Sequence, residues 1–274
     1  MCRSSGNGYV ACNVLRPATG GSATGSKVRC PKGWLVTVDT STPVHRIVVV
    51  VPAHDEQDLL DACLTALATA ERRVVEVAPV TVSTIVVLDA CTDGSARIAA
   101  RHPSVSVVPV AHRNVGAARA AGFAQDLNGG LSHADTWYAT TDADSTVGEQ
   151  WLVGHLRHAA EGARAVVGTV SVRFEDRIVD DEALRSSYDA QYVNESGHPH
   201  VHGANLGVRA TDYWAVGGFA PLATGEDHDL VRRLELGGTV CRRVCDIPVD
   251  TSGRLRGRAP DGMAGFLRSL EPSA

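Results

Sequence analysis

From residue 46 onward, hydrophobic positions alternate between short continuous runs and the three- and four-residue spacing of a helix face. Residues 47–51 read I-V-V-V-V, a β-branched run typical of a strand buried on both faces of a parallel sheet. The following residues repeat their leucines as one face of an amphipathic helix does. This pattern predicts strands at 47–51, 84–88, 105–110, 137–141 and 165–174, and helices at 56–70, 96–101, 115–127, 182–192 and 229–236.

Strands and helices that alternate with short connections predict βαβ units. We therefore predict an α/β fold, with a Rossmann-like, mostly parallel sheet flanked by helices in a single domain. Residues 1–43 differ from the rest, because Gly, Ser and Thr cluster there with little hydrophobic periodicity. We predict that they form a poorly ordered N-terminal extension. They contain no uninterrupted apolar segment of the kind that a secretory signal needs.

Composition and charge argue against some classes of function and favour others. The chain of 274 residues is 44% hydrophobic, enough for a substantial core, and has a formal net charge of −5. An acidic chain without a basic face argues against a nucleic-acid partner. No run of about 20 apolar residues predicts a transmembrane helix. Seven cysteines without a CxxC pair indicate free thiols in a reducing compartment, so we expect a cytoplasmic protein.

Polar side chains follow four successive predicted strands. In open parallel sheets, ligands bind beyond the carboxyl ends of the strands. The groups delivered to that edge are His54, Asp55 and Glu56, then Asp89, then Arg113 and Asn114, and finally Asp142 and Asp144. The pattern predicts a binding site at this edge of the sheet.

Asp142 and Asp144 are the central feature of this edge, in the sequence T-D-A-D-S. Two carboxylates at positions i and i+2 of an extended segment share one side of the chain. There they can hold Mg²⁺ or Mn²⁺, which prefer oxygen ligands and accept substrate phosphates in the remaining positions. In isolation such a pair is more often a solvated turn. Its place after the fourth strand of a βαβ array favours the metal site.

Other candidate residues leave two interpretations open. Glu226 and Asp227 either supply a general base or cap the following helix. Arg113 and Arg119, at a strand-to-helix turn rich in small residues, either bind phosphate or belong to a tightly packed helix. Asp89 either accepts a hydrogen bond from a nucleotide base or stabilises a turn.

Two histidine- and arginine-rich segments are also ambiguous. His198, His200 and His202 alternate as on one strand face, but no cysteine or carboxylate stands in register to complete a zinc site. His202 is the one that we expect to line an acceptor pocket. The basic stretch R-L-R-G-R at residues 254–258 is most simply a solvated tail. A lid over a diphosphate and a peripheral membrane contact are its alternatives.

The motifs together resemble family 2 glycosyltransferases of the GT-A class. They occur in that family's order as V-V-V-V-P-A-H-D-E (48–56), V-V-L-D-A-C-T-D-G-S (86–95), R-N-V-G-A-A-R (113–119), T-D-A-D-S (141–145), G-A-N-L-G-V-R (203–209), G-G-F (217–219) and G-E-D-H-D-L (225–230). Each motif is weak alone, and seven in order are specific.

The resemblance implies a metal-assisted transfer of a sugar from a UDP- or GDP-sugar to an acceptor that the sequence does not identify. It implies that the donor nucleotide is bound by Pro52, His54, Glu56, Asp89, Arg113 and Asp142. Asp142 and Asp144 would hold Mn²⁺ or Mg²⁺. Asp227 would be the base of an inverting displacement, and His202, Asn205 and Glu226 would line the acceptor site. The segment after residue 236 lacks a further signature of the family, so a third metal ligand is unassigned.

The resemblance also suggests how the chain is organised. Residues 44–150 would be the nucleotide-sugar-binding half and residues 151–250 the acceptor-binding half of one GT-A domain, followed by a basic tail at 251–274. Two alternatives differ in class. A nucleotidyltransferase would need a Gly-rich basic loop with a lysine after the first strand, and P-A-H-D-E supplies none. A catalytically silent binding module is disfavoured because Asp144 and Asp227 are both present.

Overall fold

The computed structural model describes residues 26–29, 35–38, 42–127, 133–174, 182–222, 224–254 and 263–270. The chain divides into two compact units, residues 1–41 and residues 42–274. In the first unit, β1 (Ser26–Arg29) and β2 (Leu35–Val38) pair antiparallel, where the sequence indicated no regular element. The other residues of this unit lie outside the described ranges, so the poor order predicted for the extension stays a prediction.

The second unit is an α/β domain around a curved mixed sheet. Its strands are β3 (Arg46–Ala53), β4 (Thr81–Asp89), β5 (Val105–Val110), β6 (Thr136–Thr140), β7 (Ser145–Val147), β8 (Ala165–Arg173), β9 (Leu206–Arg209) and β10 (Cys241–Ser252). Its helices are α1 (Leu60–Val77), α2 (Ser95–Ala99), α3 (Val115–Leu127), α4 (Trp151–Ala160), α5 (Glu182–Gln191), α6 (Ala210–Ala215), α7 (Glu226–Leu236) and α8 (Met263–Ser269).

Within the described residues the sheet has the strand order β5-β4-β3-β6-β9-β8-β10-β7. Strands β5, β4, β3 and β6 run parallel to one another, and so do β8 and β10. Strand β9 is antiparallel to both of its neighbours, and β7 is antiparallel to β10. The predicted α/β fold with a mostly parallel sheet is confirmed. The parallel strands bring the predicted site residues to one edge.

The run of β-branched residues in β3 has a direct structural reason. Ile47, Val49 and Val51 pack on one face of the sheet in the core that includes α1 and α4. Val48 and Val50 pack on the other face, in the core that includes α3 and α7. Because successive strand residues point to opposite faces, a strand covered on both faces has no polar position. A third, smaller core joins α5 and α8.

Several element boundaries differ from the sequence-based predictions, and some elements were not predicted. The helix expected at 56–70 begins at Leu60. Before it, the backbone N–H groups of Glu56 and Gln57 donate to Ser95 Oγ and Asp93 Oδ2, at 2.8 and 2.9 Å, and link this segment to the start of α2. Strand β10 and helix α4 were not predicted. The pairing of β10 with β8 shifts between Val244 and Val249, and Pro248 in this interval lacks an N–H to donate.

Two other expectations concern the whole chain. In the part that the structure describes, no helix combines the length and apolar character needed to cross a bilayer. The cysteines within the described ranges, Cys63, Cys91, Cys241 and Cys245, form no disulfide with one another, and the free thiols expected for the chain stay a prediction.

Candidate active site

The candidate site lies where β3, β4, β5 and β6 end. The loops after the first three of these strands each hold a non-glycine residue in the left-handed region, namely Asp55 (φ 53°), Ala90 (φ 51°) and Arg113 (φ 49°). Side chains disfavour this conformation, so it persists where surrounding contacts enforce it. The Asp55 carboxylate accepts a hydrogen bond from the backbone of Thr92 at 2.6 Å, which ties the first loop to the second. The three loops form a braced rim.

Asp89, at the end of β4, is the main brace of this rim. Its carboxylate accepts three backbone N–H bonds, from His112 (2.6 Å), Arg113 (2.8 Å) and Asn114 (2.8 Å). His54 Nδ1 lies 2.6 Å from the Asp89 carbonyl oxygen. Asp89 thus shapes the loop before α3, rather than the turn at residues 91–94 that the sequence suggested as an alternative. The contact of Asp89 with a nucleotide base stays a prediction.

Arg254 links two of the predicted site carboxylates. Its guanidinium donates two hydrogen bonds to Glu56, at 2.9 and 2.8 Å, and lies 2.8 Å from Asp144 Oδ2. The interpretation of this arginine as part of a solvated tail is therefore wrong. Arg254 follows the end of β10, and that strand brings it across the sheet edge. Arg256 and Arg258 lie outside the described residues.

The acidic cluster after β6 has the donor set of a hard divalent cation. The side chain of Asp144 is 14% exposed and that of Asp142 is 36% exposed, so both remain reachable from solvent. Burial, together with the charges of Asp142 and Glu56, raises the pKa of Asp144 to about 6, although Arg254 opposes the shift. Partly buried carboxylates that repel one another favour a cation. Carboxylate oxygens are the ligands that Mg²⁺ and Mn²⁺ prefer, so these residues fit such an ion by their chemistry. Among the described residues, Glu56, Asp142 and Asp144 do not bring three ligand atoms within 4.8 Å of one another.

Arg119 connects this cluster to the second acidic motif. Its side chain is 2% exposed, and it pairs with both Asp142 and Glu226. The sequence suggested that Arg119 binds phosphate or packs in a helix. Instead it is a buried counter-ion that joins the end of β6 to the start of α7. Gly116 lies one helical turn earlier. Because it has no side chain, α3 can lie close to the segment before α7, where a Cβ on residue 116 would be 2.2 Å from the Ala220 carbonyl oxygen.

Asp227 and Glu226 occupy the first turn of α7, rather than a turn before a helix starting at residue 229. Gly225 precedes them with φ 71°, a conformation that glycine adopts freely. Asp227 Oδ2 accepts the backbone N–H of Gly203 at 2.8 Å, and Oδ1 accepts that of His228 at 2.7 Å. The helix N-terminus favours these negative charges. Asp227 is half-buried and held in place, as a base would have to be.

The predicted acceptor residues have different surroundings. His202 Nε2 lies 2.9 Å from the Tyr192 hydroxyl, and burial lowers the pKa of His202 to about 4 while the charge of Asp227 opposes the shift. Asn205 has no exposed surface, and its amide bonds to Trp151, Thr169 and Ile247. This geometry favours a structural role for Asn205, and its contact with an acceptor stays a prediction. Glu226 is likewise buried, against Arg119.

Two further clusters contain residue types that bind metal ions. Asp55, Cys91 and Asp93 place ligand atoms within 4.8 Å of one another. Both carboxylates already accept backbone N–H bonds, from Thr92 and from Gln57 and Ser95. The rings of the three alternating histidines stack at centroid distances of 5.8 and 5.9 Å. Among the described residues they do not form a metal-ligand group.

With this geometry in view, comparison with known proteins is informative. The profile of glycosyl transferase family 2 matches residues 48–217, more than half of the chain, including the site loops from β3 to the Asp142–Asp144 pair. The chain belongs to this family. The match ends before Glu226 and Asp227, which lie in α7. No curated protein matches the sequence significantly.

Solved structures of GT-A glycosyltransferases share the fold. S. aureus TarS 1–349, in complex with UDP, superposes with a TM-score of 0.55 at 13% identity, over 82% of this chain and 64% of that one. The mannosyltransferase PcManGT from Pyrobaculum calidifontis, in complex with GDP-Man and Mn²⁺, superposes with a TM-score of 0.55 at 19% identity, over 89% and 69%. In another structure of S. aureus TarS 1–349, the match spans 60% of that chain. At sequence identities of 13% and 19%, this structural similarity shows that the fold is shared and nothing more.

Proposed function

We propose that this protein is a glycosyltransferase that moves a sugar from a nucleoside diphosphate donor to an acceptor hydroxyl with the help of a divalent cation. The observation that carries the proposal is the convergence of Glu56, Asp142 and Asp144 at the ends of β3 and β6 in a family 2 fold. Such an edge is where open α/β sheets bind nucleotides. The UDP complex of TarS and the GDP-Man complex of PcManGT support a nucleotide-sugar donor.

The donor nucleotide would bind along the braced rim. Pro52 is buried near the end of β3, where pairing with β6 has already stopped at Val50. His54, Glu56, Asp89 and Arg113 follow at the loops on either side. The Arg113 side chain is exposed, so it can reach donor phosphates. A rim whose conformation is fixed before binding loses little entropy when the nucleotide arrives.

Asp142 and Asp144 would hold Mn²⁺ or Mg²⁺. When bound, such an ion stabilises the charge that develops on a leaving diphosphate. Arg119, whose guanidinium is buried, keeps the Asp142 carboxylate at the end of β6 through an ion pair. The two carboxylates are therefore positioned by neighbouring protein groups before any donor binds.

Asp227 would remove the proton from the acceptor hydroxyl in an inverting displacement. A general base must be oriented and within reach of the hydroxyl that it deprotonates. The N–H groups of Gly203 and His228 orient this carboxylate, and Arg119 links its neighbour Glu226 to Asp142 on the donor side. The acceptor would lie on the side of Asp227 that His202 borders. Glu226 and Asn205 would then support this pocket from beneath.

Thermal shift measurements with UDP, GDP and their common sugars, each with and without Mn²⁺, test the donor site. A ligand at about 100 times its Kd adds about 2.7 kcal/mol to folded-state stability. For a domain of this size that raises Tm by about 5–10 °C. We expect one nucleotide class to stabilise the wild type only when Mn²⁺ is present.

The variants Asp144→Asn and Asp189→Asn complete this experiment. Asp144→Asn should abolish the shift, whereas Asp189→Asn, on the exposed surface of α5, should retain it. The proposal fails if no nucleotide stabilises the folded wild type. It also fails if stabilisation is the same without the cation and in Asp144→Asn.

A further inference from the structure

Arg254 stands in the position of a cation between two carboxylates from different strand ends. Glu56 follows β3 and Asp144 follows β6, and the guanidinium spans both at 2.8–2.9 Å. The side chains of Glu56 and Asp144 are 8% and 14% exposed, whereas that of Arg254 is 27% exposed. The arginine thus covers the acidic pair from the solvent side.

The local charges explain why an arginine is held there. Glu56, Asp142 and Asp144 are three carboxylates at the ends of two neighbouring strands, where like charges repel one another. An arginine guanidinium remains protonated in proteins, and this one pairs with both Glu56 and Asp144. The guanidinium therefore stays charged and offsets the repulsion. The carboxylate of Asp144, which Arg254 contacts, is also one of the two that would hold the proposed cation.

We propose that Arg254 is the internal counter-ion of the donor-free site, competes with the divalent cation for Asp144, and transfers to the donor diphosphate when donor and cation bind. This inference rests on the proposed function, because it assumes that Asp144 is a metal ligand. A guanidinium suits both partners, since its planar fork pairs equally with carboxylates and with phosphate oxygens. The positive charge of Arg254 then pairs with the diphosphate, while the divalent cation takes the place of Arg254 beside Asp144.

Mn²⁺ binding without nucleotide, measured by electron paramagnetic resonance of the free ion, tests the competition. We expect Arg254→Gln to bind Mn²⁺ about tenfold more tightly than the wild type, because the competing charge-assisted bonds are gone. Arg254→Lys, which keeps the charge, should stay closer to the wild type. The control Arg242→Gln removes the same charge from β10 at an exposed pair with Glu161 and should leave Mn²⁺ affinity unchanged.

Calorimetric binding of UDP and GDP at saturating Mn²⁺ tests the transfer. Here Arg254→Gln should bind the preferred nucleotide about tenfold more weakly, the reverse of its effect on the bare ion. General damage to the site would weaken both ligands. An unchanged or weaker Mn²⁺ affinity in Arg254→Gln overturns the competition, and unchanged nucleotide affinity overturns the transfer. If Mn²⁺ binds neither protein, even with nucleotide, the proposed metal site itself is wrong.

Discussion

Replacing Arg119 by methionine tests the buried charge network that joins the two acidic motifs. Arg119 is 2% exposed and its partner Glu226 is 7% exposed. Without the guanidinium, Glu226 must either remain charged or take up a proton. At pH 7, protonating a carboxyl with an ordinary pKa of 4.5 costs about 3 kcal/mol, from 2.5 pH units at 1.36 kcal/mol each. Breaking a buried pair otherwise costs about 3–5 kcal/mol. We therefore expect the free energy of unfolding to fall by about 3 kcal/mol.

The loss in Arg119→Met should depend on pH in a defined direction. Burial raises the pKa of Glu226 in the folded protein, and removing Arg119 raises it further. A carboxyl with a raised folded pKa stabilises the protein below its unfolded pKa, and this contribution is lost as pH rises through the folded pKa. The deficit relative to the wild type should therefore grow by up to about 1.4 kcal/mol per pH unit between pH 5 and pH 7.

Urea unfolding followed by circular dichroism at pH 5, 6 and 7 measures this deficit. Adding Glu226→Gln to Arg119→Met should recover most of the loss, since no buried charge is then left unpaired. The surface control Arg242→Met, at a pair whose side chains are 37% and 49% exposed, should change stability by less than about 1 kcal/mol. A loss below about 1 kcal/mol in Arg119→Met, with no pH dependence, would refute the reasoning.

Two further predictions concern packing and pH. Gly116→Ala should lose about 1–3 kcal/mol in urea unfolding, because its Cβ would lie 2.2 Å from the Ala220 carbonyl oxygen, whereas Gly148→Ala meets nothing within 4 Å and should be nearly neutral. Equal losses in the two variants would count against this. Burial lowers the pKa of His155 to about 3, so its neutral form stabilises the fold fully above the ordinary value of 6.5 and progressively less as pH falls. His155→Leu should flatten the stability slope between pH 6.5 and pH 5 by up to about 1.4 kcal/mol per unit, while a slope equal to that of the exposed control His45→Leu would contradict the burial argument.

Local pattern predicted several elements close to their observed bounds. Strand β5 and helix α3 occur at the residues predicted, and the apolar run of β3 reflects cores on both sides of the sheet. Strand β10 was missed because Arg242, Arg243 and Pro248 interrupt its apolar residues, and its pairing with β8 shifts near Pro248. Tertiary pairing with β8, rather than local propensity, makes this segment a strand.

The candidate site likewise has parts that a local sequence motif marks and parts that only tertiary contacts create. The Asp142–Asp144 pair and Asp227 could be predicted because each lies in a short motif beside a recognisable strand or helix. The roles of Arg119 and Arg254 could not, since their acidic partners Glu226 and Glu56 lie 107 and 198 residues away in sequence. A pattern within one element carries no information about such pairs. For Arg119, its place one turn after Gly116 was the available signal that this helix face is closely packed.

Cleavage of the donor is the most direct test of the central claim, that this site transfers sugars from nucleoside diphosphates. Release of UDP or GDP from a panel of nucleotide sugars with Mn²⁺ can be followed by mass spectrometry, with water as the default acceptor. We predict release from one donor class by the wild type and its loss in Asp144→Asn together with nucleotide binding. Asp227→Asn should keep nucleotide binding but release product at least about 100-fold more slowly. Release that persists unchanged in Asp144→Asn, or no binding and no release with any donor, would contradict the account.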